Sequence, residues 1–527
     1  MPNSLEAIFT QGAAALHADD LPGAEQLFRS IIQADPRAHP AWNALSVVAA
    51  RSGLPELALD CAKRALELDR RNPVYLNSLG VACGELGLFA DSEQAFRRAL
   101  KAKPAYPEGL FNLGKVLHKL GRLSDAARAY ERVYAMDRAF PGLLPAMIAV
   151  YRRQGRADRA LAMLEDGRSG LADVDLGHLR AACLAEVAGA ERAVAWLREQ
   201  LAQNPEAHGM HFPLAELLLS QSRWREGWRE YLWRPNMLEE RVDTDGSERA
   251  PAPLPARLDA SRVLLRGEQG IGDVLFFLRF APLLRERGAR VTLSCERKLA
   301  AVVAAQEPLE AVCEPAAEDG RSPQFDLRIW CGDLPALLGT EAVPPAWRLA
   351  VGDAEVVRAK ERLSALGPGP YLGITWRAGT DTLRGREFGN QRNLLMKELP
   401  PSELGAAVRG WPGTVLALQR GPRADELAAF AQAAQAPVHD LSALNDNLPE
   451  MLAVLALLDE YVAVSNTNIH LLAGLGRTAR VLVPYPPEWR WAREGDSPWF
   501  PGFPVYREPQ PRGWDRPLLD LRKDLSL

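Results

Sequence analysis

Small, glycine and large apolar residues recur every 34 positions through the first part of the chain. The glycines that keep this period are Gly53, Gly87, Gly121 and Gly155. A small residue keeps it at Ala24, Ala58, Ser92, Ala126 and Ala160. Four residues after each of these stand Phe28, Ala62, Phe96, Tyr130 and Leu164. Two antiparallel helices need small residues where they cross, a glycine near the tight turn, and large residues to pack on the next pair. The pattern therefore predicts helical hairpins stacked into an α-solenoid.

This spacing resembles that of the tetratricopeptide repeat (TPR). Four repeats are clear between residues 39 and 172, a first one over 5–38 has Asp19 in place of the turn glycine, and weaker ones follow up to residue 234. We expect the solenoid to occupy residues 1–240. Such a solenoid binds proteins or peptides in its concave groove, and the alternative is that it only supports the second half or mediates dimerisation.

The repeats end in aromatic residues at helical spacing, namely Trp224, Trp228, Tyr231 and Trp233. We expect this group to pack against the next domain rather than to bind a ligand. Residues 241–260, with prolines at Pro251, Pro253 and Pro255, are predicted to form a linker.

Strand-like apolar runs alternate with helical patterns in the second half, which predicts parallel sheets. The predicted strands cover 263–265, 290–293, 325–330, 371–376, 414–418, 461–464 and 479–483. A strong break at 367–370, Gly-Pro-Gly-Pro, separates two sets of strands. The fold class is therefore α + α/β, with two Rossmann-like lobes over 261–352 and 353–527. A ligand cleft is expected between the carboxyl ends of their strands.

The first predicted strand runs into a glycine-rich turn that opens a helix, and this arrangement brings backbone N–H groups to an anion. The turn contains Gln269, Gly270, Gly272 and Asp273, but the third glycine of the G-x-G-x-x-G pattern is missing. Because Asp273 would repel a phosphate, we predict that this loop faces the other reactant.

Polar side chains follow two strands of the second predicted lobe. They are Arg377 after one strand, and Asn466, Thr467, Asn468 and His470 after the other. A helix N-terminus with hydroxyl groups and a neighbouring arginine predicts a phosphate site. The alternatives are that the polar residues only cap the helix and that His470 satisfies a core carbonyl. A proline-rich loop with Trp489, Arg490 and Trp491 is expected either to pack as a rigid lid or to stack on a base or sugar.

Four segments together resemble the TPR-linked glycosyltransferases. They are E-Q-G-I-G-D (268–273), W-R-A-G (376–379), S-N-T-N-I-H-L-L-A-G (465–474) and P-E-W-R-W…S-P-W-F-P (487–501). The catalytic half of that family is similar to the lipopolysaccharide heptosyltransferases and, more distantly, to the protein O-GlcNAc transferases. The resemblance implies a GT-B pair of lobes that binds a nucleotide sugar. It also implies that Asp273 is the acid of the cleft and that residues 465–470 bind the donor phosphates, with Ser465 in place of the family's Asp.

The function implied by the resemblance is inverting, metal-independent transfer of a sugar to a protein Ser or Thr hydroxyl. No cofactor is needed besides the nucleotide sugar, and the donor could be hexosyl, heptosyl or nonulosonyl in type. The acceptor would be held by the repeats, with flagellin or another surface protein as a candidate. Two alternatives stay open: a non-catalytic TPR scaffold with a degenerate nucleotide-binding domain, and a transferase that acts on lipid or polysaccharide.

Composition and charge limit the possible partners and location of the protein. A formal charge of −4 on 527 residues favours neither nucleic acid nor an anionic membrane as partner. The N-terminal residues lack the basic and apolar regions of a signal peptide, and the six cysteines show no C-x-x-C spacing that would indicate a metal site. No apolar run is long enough to span a bilayer. We therefore expect a cytoplasmic protein.

Overall fold

The computed structural model describes residues 4–165, 173–237, 251–268, 270–304, 309–315, 325–378, 397–511 and 513–527. Gln269 lies outside the described residues. The described chain divides into two compact units, the first ending at Cys183 and the second beginning at Leu184. The first unit is helical, and the second contains helices followed by two parallel sheets.

The first unit consists of paired helices. They are α1 (Leu5–His17), α2 (Leu21–Ala34), α3 (His39–Arg51), α4 (Pro55–Leu68), α5 (Pro73–Glu85), α6 (Phe89–Ala102), α7 (Pro107–Lys119), α8 (Leu123–Met136), α9 (Leu143–Arg153), α10 (Ala157–Glu165) and α11 (Asp173–Val187), within which the division between the units falls. The predicted α-solenoid of helical hairpins is thereby confirmed.

The geometry explains the period in the sequence. The turn glycines Gly53, Gly87, Gly121 and Gly155 all have φ between +70° and +75°, a conformation that side chains disfavour. Asp19 adopts the same left-handed conformation in the first turn, with φ +62°. A Cβ would lie 2.8 Å from the Phe28 ring at Gly12, 2.6 Å from the Phe96 ring at Gly80 and 2.4 Å from the Tyr130 ring at Gly114, so these three glycines leave room for the aromatic residue of the partner helix.

The second unit begins with helices α12 (Ala190–Gln203), α13 (His211–Ser220) and α14 (Trp224–Tyr231). Its strands are β1 (Arg262–Arg266), β2 (Arg290–Ser294), β3 (Leu309–Cys313), β4 (Leu327–Trp330), β5 (Tyr371–Thr375), β6 (Thr414–Ala417), β7 (Val438–Asp440), β8 (Glu460–Val464), β9 (Arg480–Val483) and β10 (Val505–Arg507). The helices among them are α15 (Ile271–Leu278), α16 (Ala281–Glu286), α17 (Arg297–Val303), α18 (Leu334–Leu338), α19 (Asp353–Leu366), α20 (Pro401–Ala407), α21 (Ala424–Ala434), α22 (Leu448–Leu457), α23 (Thr467–Gly474) and α24 (Asp515–Asp524).

Both sheets are parallel. The first has the order β3-β2-β1-β4, and the second has the order β10-β9-β8-β5-β6-β7. The strand order reverses between β1 and β4 in the first sheet and between β5 and β8 in the second. Ligands of such sheets bind at the carboxyl ends of the strands beside these reversals. The loops after β1 and β8 are therefore the ones to examine.

A large aromatic cluster joins the end of the helical segment to both sheets of the second unit. Trp228 packs edge-on against Phe277 at 6.1 Å, Trp489 at 5.4 Å and Trp499 at 5.8 Å. The ring of Trp224 lies 4.9 Å from that of Trp499. The expected packing against the following α/β region is confirmed for Trp224, Trp228 and Tyr231. Trp233 instead stacks on His208 at 5.1 Å, within the helical segment.

No helix in the described ranges is long and apolar enough to cross a membrane. The six cysteines are free thiols.

Candidate functional site

The N-termini of two helices, each of which follows a strand of a different sheet, lie close together at Gly272. Helix α15 follows β1 and carries Gly272 in its first turn, and α23 follows β8. A Cβ on Gly272 would lie 3.2 Å from Cδ2 of His470 and 3.5 Å from Cα of Thr467. The absence of a side chain at Gly272 therefore permits this close approach, and the loops predicted to face two different reactants lie side by side.

Asp273 stands at this junction with its side chain 29% exposed. Nη2 of Arg490 donates a hydrogen bond to Oδ1 of Asp273 at 2.8 Å. Oδ2 points towards Gly270, 3.7 Å from where a Cβ on that glycine would stand. One carboxylate oxygen is thus held by a guanidinium, and the other faces the side of the loop that has no side chain.

Asp273 is the last of four side chains of alternating charge that are connected by ion pairs, and the other three belong to the second lobe. Nζ of Lys397 lies 2.6 Å from Oε2 of Glu488, and Nη1 of Arg490 donates to Oε1 of Glu488. Burial acts to raise the pKa of Glu488, but the charges of Lys397 and Arg490 outweigh it and lower the pKa to about 2. Glu488 is therefore ionised in neutral solution, and the series Lys397–Glu488–Arg490–Asp273 is electrically balanced.

The loop that carries Arg490 is packed into the core. Trp489 lies against the aromatic cluster, with its ring centroid 5.5 Å from that of Phe276. Trp491 stacks on Phe500 at 4.6 Å with an interplanar angle of 15°, and both tryptophans are buried. Of the two arrangements expected for this loop, the structure places these rings in the packed one rather than in a position to stack on a base.

The start of α23 is fixed by Tyr461. Asn466 caps the helix, since its Oδ1 accepts a hydrogen bond from the Ile469 N–H at 3.3 Å. The side-chain amides of Asn466 and Asn468 donate to the Tyr461 hydroxyl at 3.1 and 3.2 Å. Thr375 lies 2.7 Å from the same hydroxyl. The two asparagines thus shape the turn, while the first N–H groups of α23 have no partner within the helix and keep its N-terminus electropositive.

His470 lies one turn into α23 and is neutral at physiological pH. Burial, together with the positive charges of Arg490 and Arg279, lowers its pKa well below the usual 6.5. The ring packs edge-on against Phe276 at 6.1 Å and Phe500 at 5.3 Å. A neutral imidazole can donate one hydrogen bond to an anion such as phosphate.

Arg377 is held within its own lobe. Its Nε and Nη2 lie 3.2 Å from the carboxylate oxygens of Glu426, and Nη2 also donates to the Gly421 carbonyl at 2.6 Å. Arg377 is thus paired with Glu426, and the contribution of its charge to a phosphate site stays a prediction. Lys397, which sequence reasoning missed, lines a cavity together with Ser465 of the β8 loop and pairs with Glu488.

A small cavity adjoins this cation at the carboxyl ends of β8 and β9. Its lining includes Lys397, Ser465, Tyr485, Glu488 and Trp491. Ser465 stands where the resembling family has an acid, and Glu488 is the carboxylate that pairs with Lys397 here. The only signal for Glu488 in the sequence is its place in the P-E-W-R-W segment.

Arg234, which follows α14, contacts residues that follow β1 and β4, the two strands between which the order of the first sheet reverses. Its Nε donates to Oε2 of Glu268 at 2.8 Å, and its Nη1 donates to Oδ1 of Asp333 at 2.7 Å. Glu268 also accepts the Gly332 N–H at 2.9 Å. All three side chains are buried, so Glu268, although it lies in the E-Q-G-I-G-D segment, has a structural partner.

Comparison with known proteins supports the repeats. A model of the tetratricopeptide repeat matches residues 9–73 and 78–143. Protein FlbA of Caulobacter vibrioides is 28% identical over 374 residues, which cover 65% of this chain and 58% of FlbA. A match of that length extends beyond the helical repeats, and this chain spans little more than half of that relative.

Solved structures resemble the chain in part. The Pseudomonas aeruginosa pilF structure is 20% identical, covering 38% of this chain and 92% of its own, with a TM-score of 0.34. A tetratricopeptide repeat protein from Parabacteroides merdae is 16% identical, covering 45% of this chain and 96% of its own, with a TM-score of 0.36. The chain thus contains tetratricopeptide repeats, followed by an α/β region with two parallel sheets.

Proposed function

We propose that the chain is a glycosyltransferase that moves a sugar from a nucleotide-sugar donor to a Ser or Thr hydroxyl of a protein held by the repeats. The observation that carries this proposal is the meeting of two helix N-termini at Gly272. One of them bears an acid, and the other is suited to an anion. The proposal makes residues 261–352 and 353–527 the acceptor-side and donor-side lobes of a GT-B domain.

In this mechanism the donor diphosphate binds at the start of α23. We assign its binding to the first backbone N–H groups of α23, the Thr467 hydroxyl and the neutral imidazole of His470. Lys397, paired with Glu488, lines the adjoining cavity. As the bond from the anomeric carbon to phosphate oxygen breaks, these groups stabilise the negative charge that develops on the leaving nucleotide.

On the opposite side Asp273 acts as the general base. The acceptor hydroxyl attacks the anomeric carbon from the face away from the phosphate and transfers its proton to the carboxylate, so the configuration inverts. A general base contributes about 10²–10⁴-fold to a rate. This role explains why an acid occupies a glycine-rich turn that would otherwise suit phosphate.

The repeats favour a protein as the acceptor, because a TPR solenoid presents an extended protein-binding surface. Flagellin or another surface protein is the candidate that follows from the resemblance of the sequence to TPR-linked transferases.

The test combines binding and turnover. Calorimetry of the full chain against a panel of nucleotide sugars identifies the donor, and transfer is then measured for the wild type and for Asp273→Asn. We expect Asp273→Asn to bind the donor normally and to lose transfer by about 10²–10⁴-fold. The control is Glu286→Gln, which removes an exposed acid of the same lobe. Full activity in Asp273→Asn would remove this residue from the mechanism, and donor binding without turnover by the wild type would favour a non-catalytic scaffold.

A further inference from the structure

We propose that Arg490 is a positioning residue for Asp273: it fixes one carboxylate oxygen so that the other faces the acceptor hydroxyl, and it is not a ligand of the donor phosphates. This inference rests on the proposed function and assigns a role to an arginine that the sequence suggested only as part of a lid.

The hydrogen bonds of Arg490 fix its orientation at both ends. Its Nη2 donates to Asp273 Oδ1 at 2.8 Å, and its Nη1 donates to Glu488, which in turn pairs with Lys397. A planar guanidinium that bridges two carboxylates is held in orientation as well as in position. Asp273 is thereby connected to the second lobe through one rigid group.

Packing reinforces this arrangement. The guanidinium lies 4.6 Å from the ring centroids of both Phe276 and Trp489. Phe276 stands on α15, three residues after Asp273, so the arginine is fixed against the helix that carries the acid. Trp489 is in turn fixed by Trp228 at 5.4 Å. Movement of the Arg490 head group would disturb this aromatic core.

Geometry also argues against a phosphate role. The Arg490 side chain is only 8% exposed, and both of its terminal nitrogens already contact carboxylates. A phosphate ligand would have to displace Asp273 or Glu488 from a buried ion pair, which is costly. Lys397 also pairs with a carboxylate, that of Glu488, but it is 27% exposed and lines the cavity, so it is more accessible to a donor than Arg490.

Four further ionisable groups lie close enough to influence this pair electrostatically, namely Tyr231, Arg279, His470 and Glu488. They come from different elements of the second unit, so a change at Arg490 could act through them as well as through Asp273. The test therefore has to separate action through Asp273 from a general disturbance of the cleft.

A double-mutant cycle on the full chain makes this separation. Transfer kinetics and donor affinity are measured for the wild type, Arg490→Gln, Asp273→Asn and the double variant, with Arg493→Gln, an exposed arginine of the same loop, as control. We expect Arg490→Gln to lower kcat about 10²-fold, the effect of a small misplacement of a catalytic group, with donor affinity within about twofold. In the Asp273→Asn background, Arg490→Gln should lower kcat by less than about threefold, since the carboxylate of Asp273 through which Arg490 acts is already absent.

Two results would overturn the inference and favour a role of Arg490 as a phosphate ligand or as a structural residue. One is a loss of kcat in Arg490→Gln that is equally large in the Asp273→Asn background. The other is a donor affinity that falls tenfold or more in both backgrounds. Arg490→Lys replaces Arg490→Gln in the cycle if the latter unfolds, because it keeps the charge but cannot bridge both carboxylates. A wild type that transfers no sugar would overturn the proposed function itself. Activity in the wild type with no effect at Arg490 would overturn only this inference.

Discussion

Replacing Arg234 by methionine should destabilise the second unit severely. Arg234 is fully buried and donates hydrogen bonds to Glu268 and Asp333, both of which are also buried. Although burial acts to lower the pKa of this guanidinium, the charges of Asp333 and Glu268 raise it above the usual value for arginine. Arg234→Met leaves two carboxylates in the interior without a cation. Removal of one member of a buried ion pair costs about 3–5 kcal/mol.

Urea unfolding monitored by tryptophan fluorescence measures this cost, because Trp228 and Trp489 belong to the same unit. With a urea dependence of about 3 kcal/mol per molar, the expected loss lowers the unfolding midpoint by about 1 M or more. The matched control is Arg223→Gln, at the start of α14, whose side chain is 28% exposed and pairs with Glu226 at 2.9 Å. Such a pair contributes at most about 1 kcal/mol.

Replacement of all three residues, Arg234, Glu268 and Asp333, by methionine should recover much of the loss, because no charge is then buried without a partner. A midpoint for Arg234→Met that equals that of Arg223→Gln would refute the reasoning. It would mean that water or other groups compensate the two acids.

Three further predictions concern residues of the candidate site. Gly272→Ala should lower transfer about tenfold in the same kinetic assay, since its Cβ would lie 3.2 Å from His470. Tyr461→Phe should cost about 1–3 kcal/mol in thermal or urea unfolding, because the hydroxyl that orders the start of α23 is lost. Glu488, with its pKa lowered to about 2, stabilises the fold above pH 4.5 and loses this effect as the pH falls towards 2. The stability gap between the wild type and Glu488→Gln should therefore narrow over that range, and a constant gap would contradict the assigned ion pairs.

Much of the fold could be predicted from the sequence because local patterns determine it. The 34-residue period follows from turn glycines in a left-handed conformation and from small residues opposite aromatic ones. The central strands β1, β5 and β8 are buried on both faces and appear as continuous apolar runs. Three strands were missed, namely β3, β7 and β10. All three lie at sheet edges, where exposed or half-buried positions interrupt the apolar run.

The site was predictable only in part, because its contacts join distant positions in the chain. Arg377 has the expected place after β5, but its partner Glu426 lies 49 residues further on, so the sequence did not indicate their ion pair. Arg490 and Asp273 are separated by 217 residues, so nothing local indicates their ion pair. Spacing reveals which loop a residue occupies, whereas the partner of a charged side chain is decided by the tertiary structure.

The central proposal, sugar transfer to a protein with Asp273 as base, is tested most directly by mass spectrometry of the surface proteins of the source organism, flagellin first. Strains would carry either the wild-type chain or Asp273→Asn at equal abundance. The account predicts sugar-sized mass increments on Ser or Thr residues in the wild-type strain and their loss in the Asp273→Asn strain. Identical modification of the same proteins in both strains would contradict it.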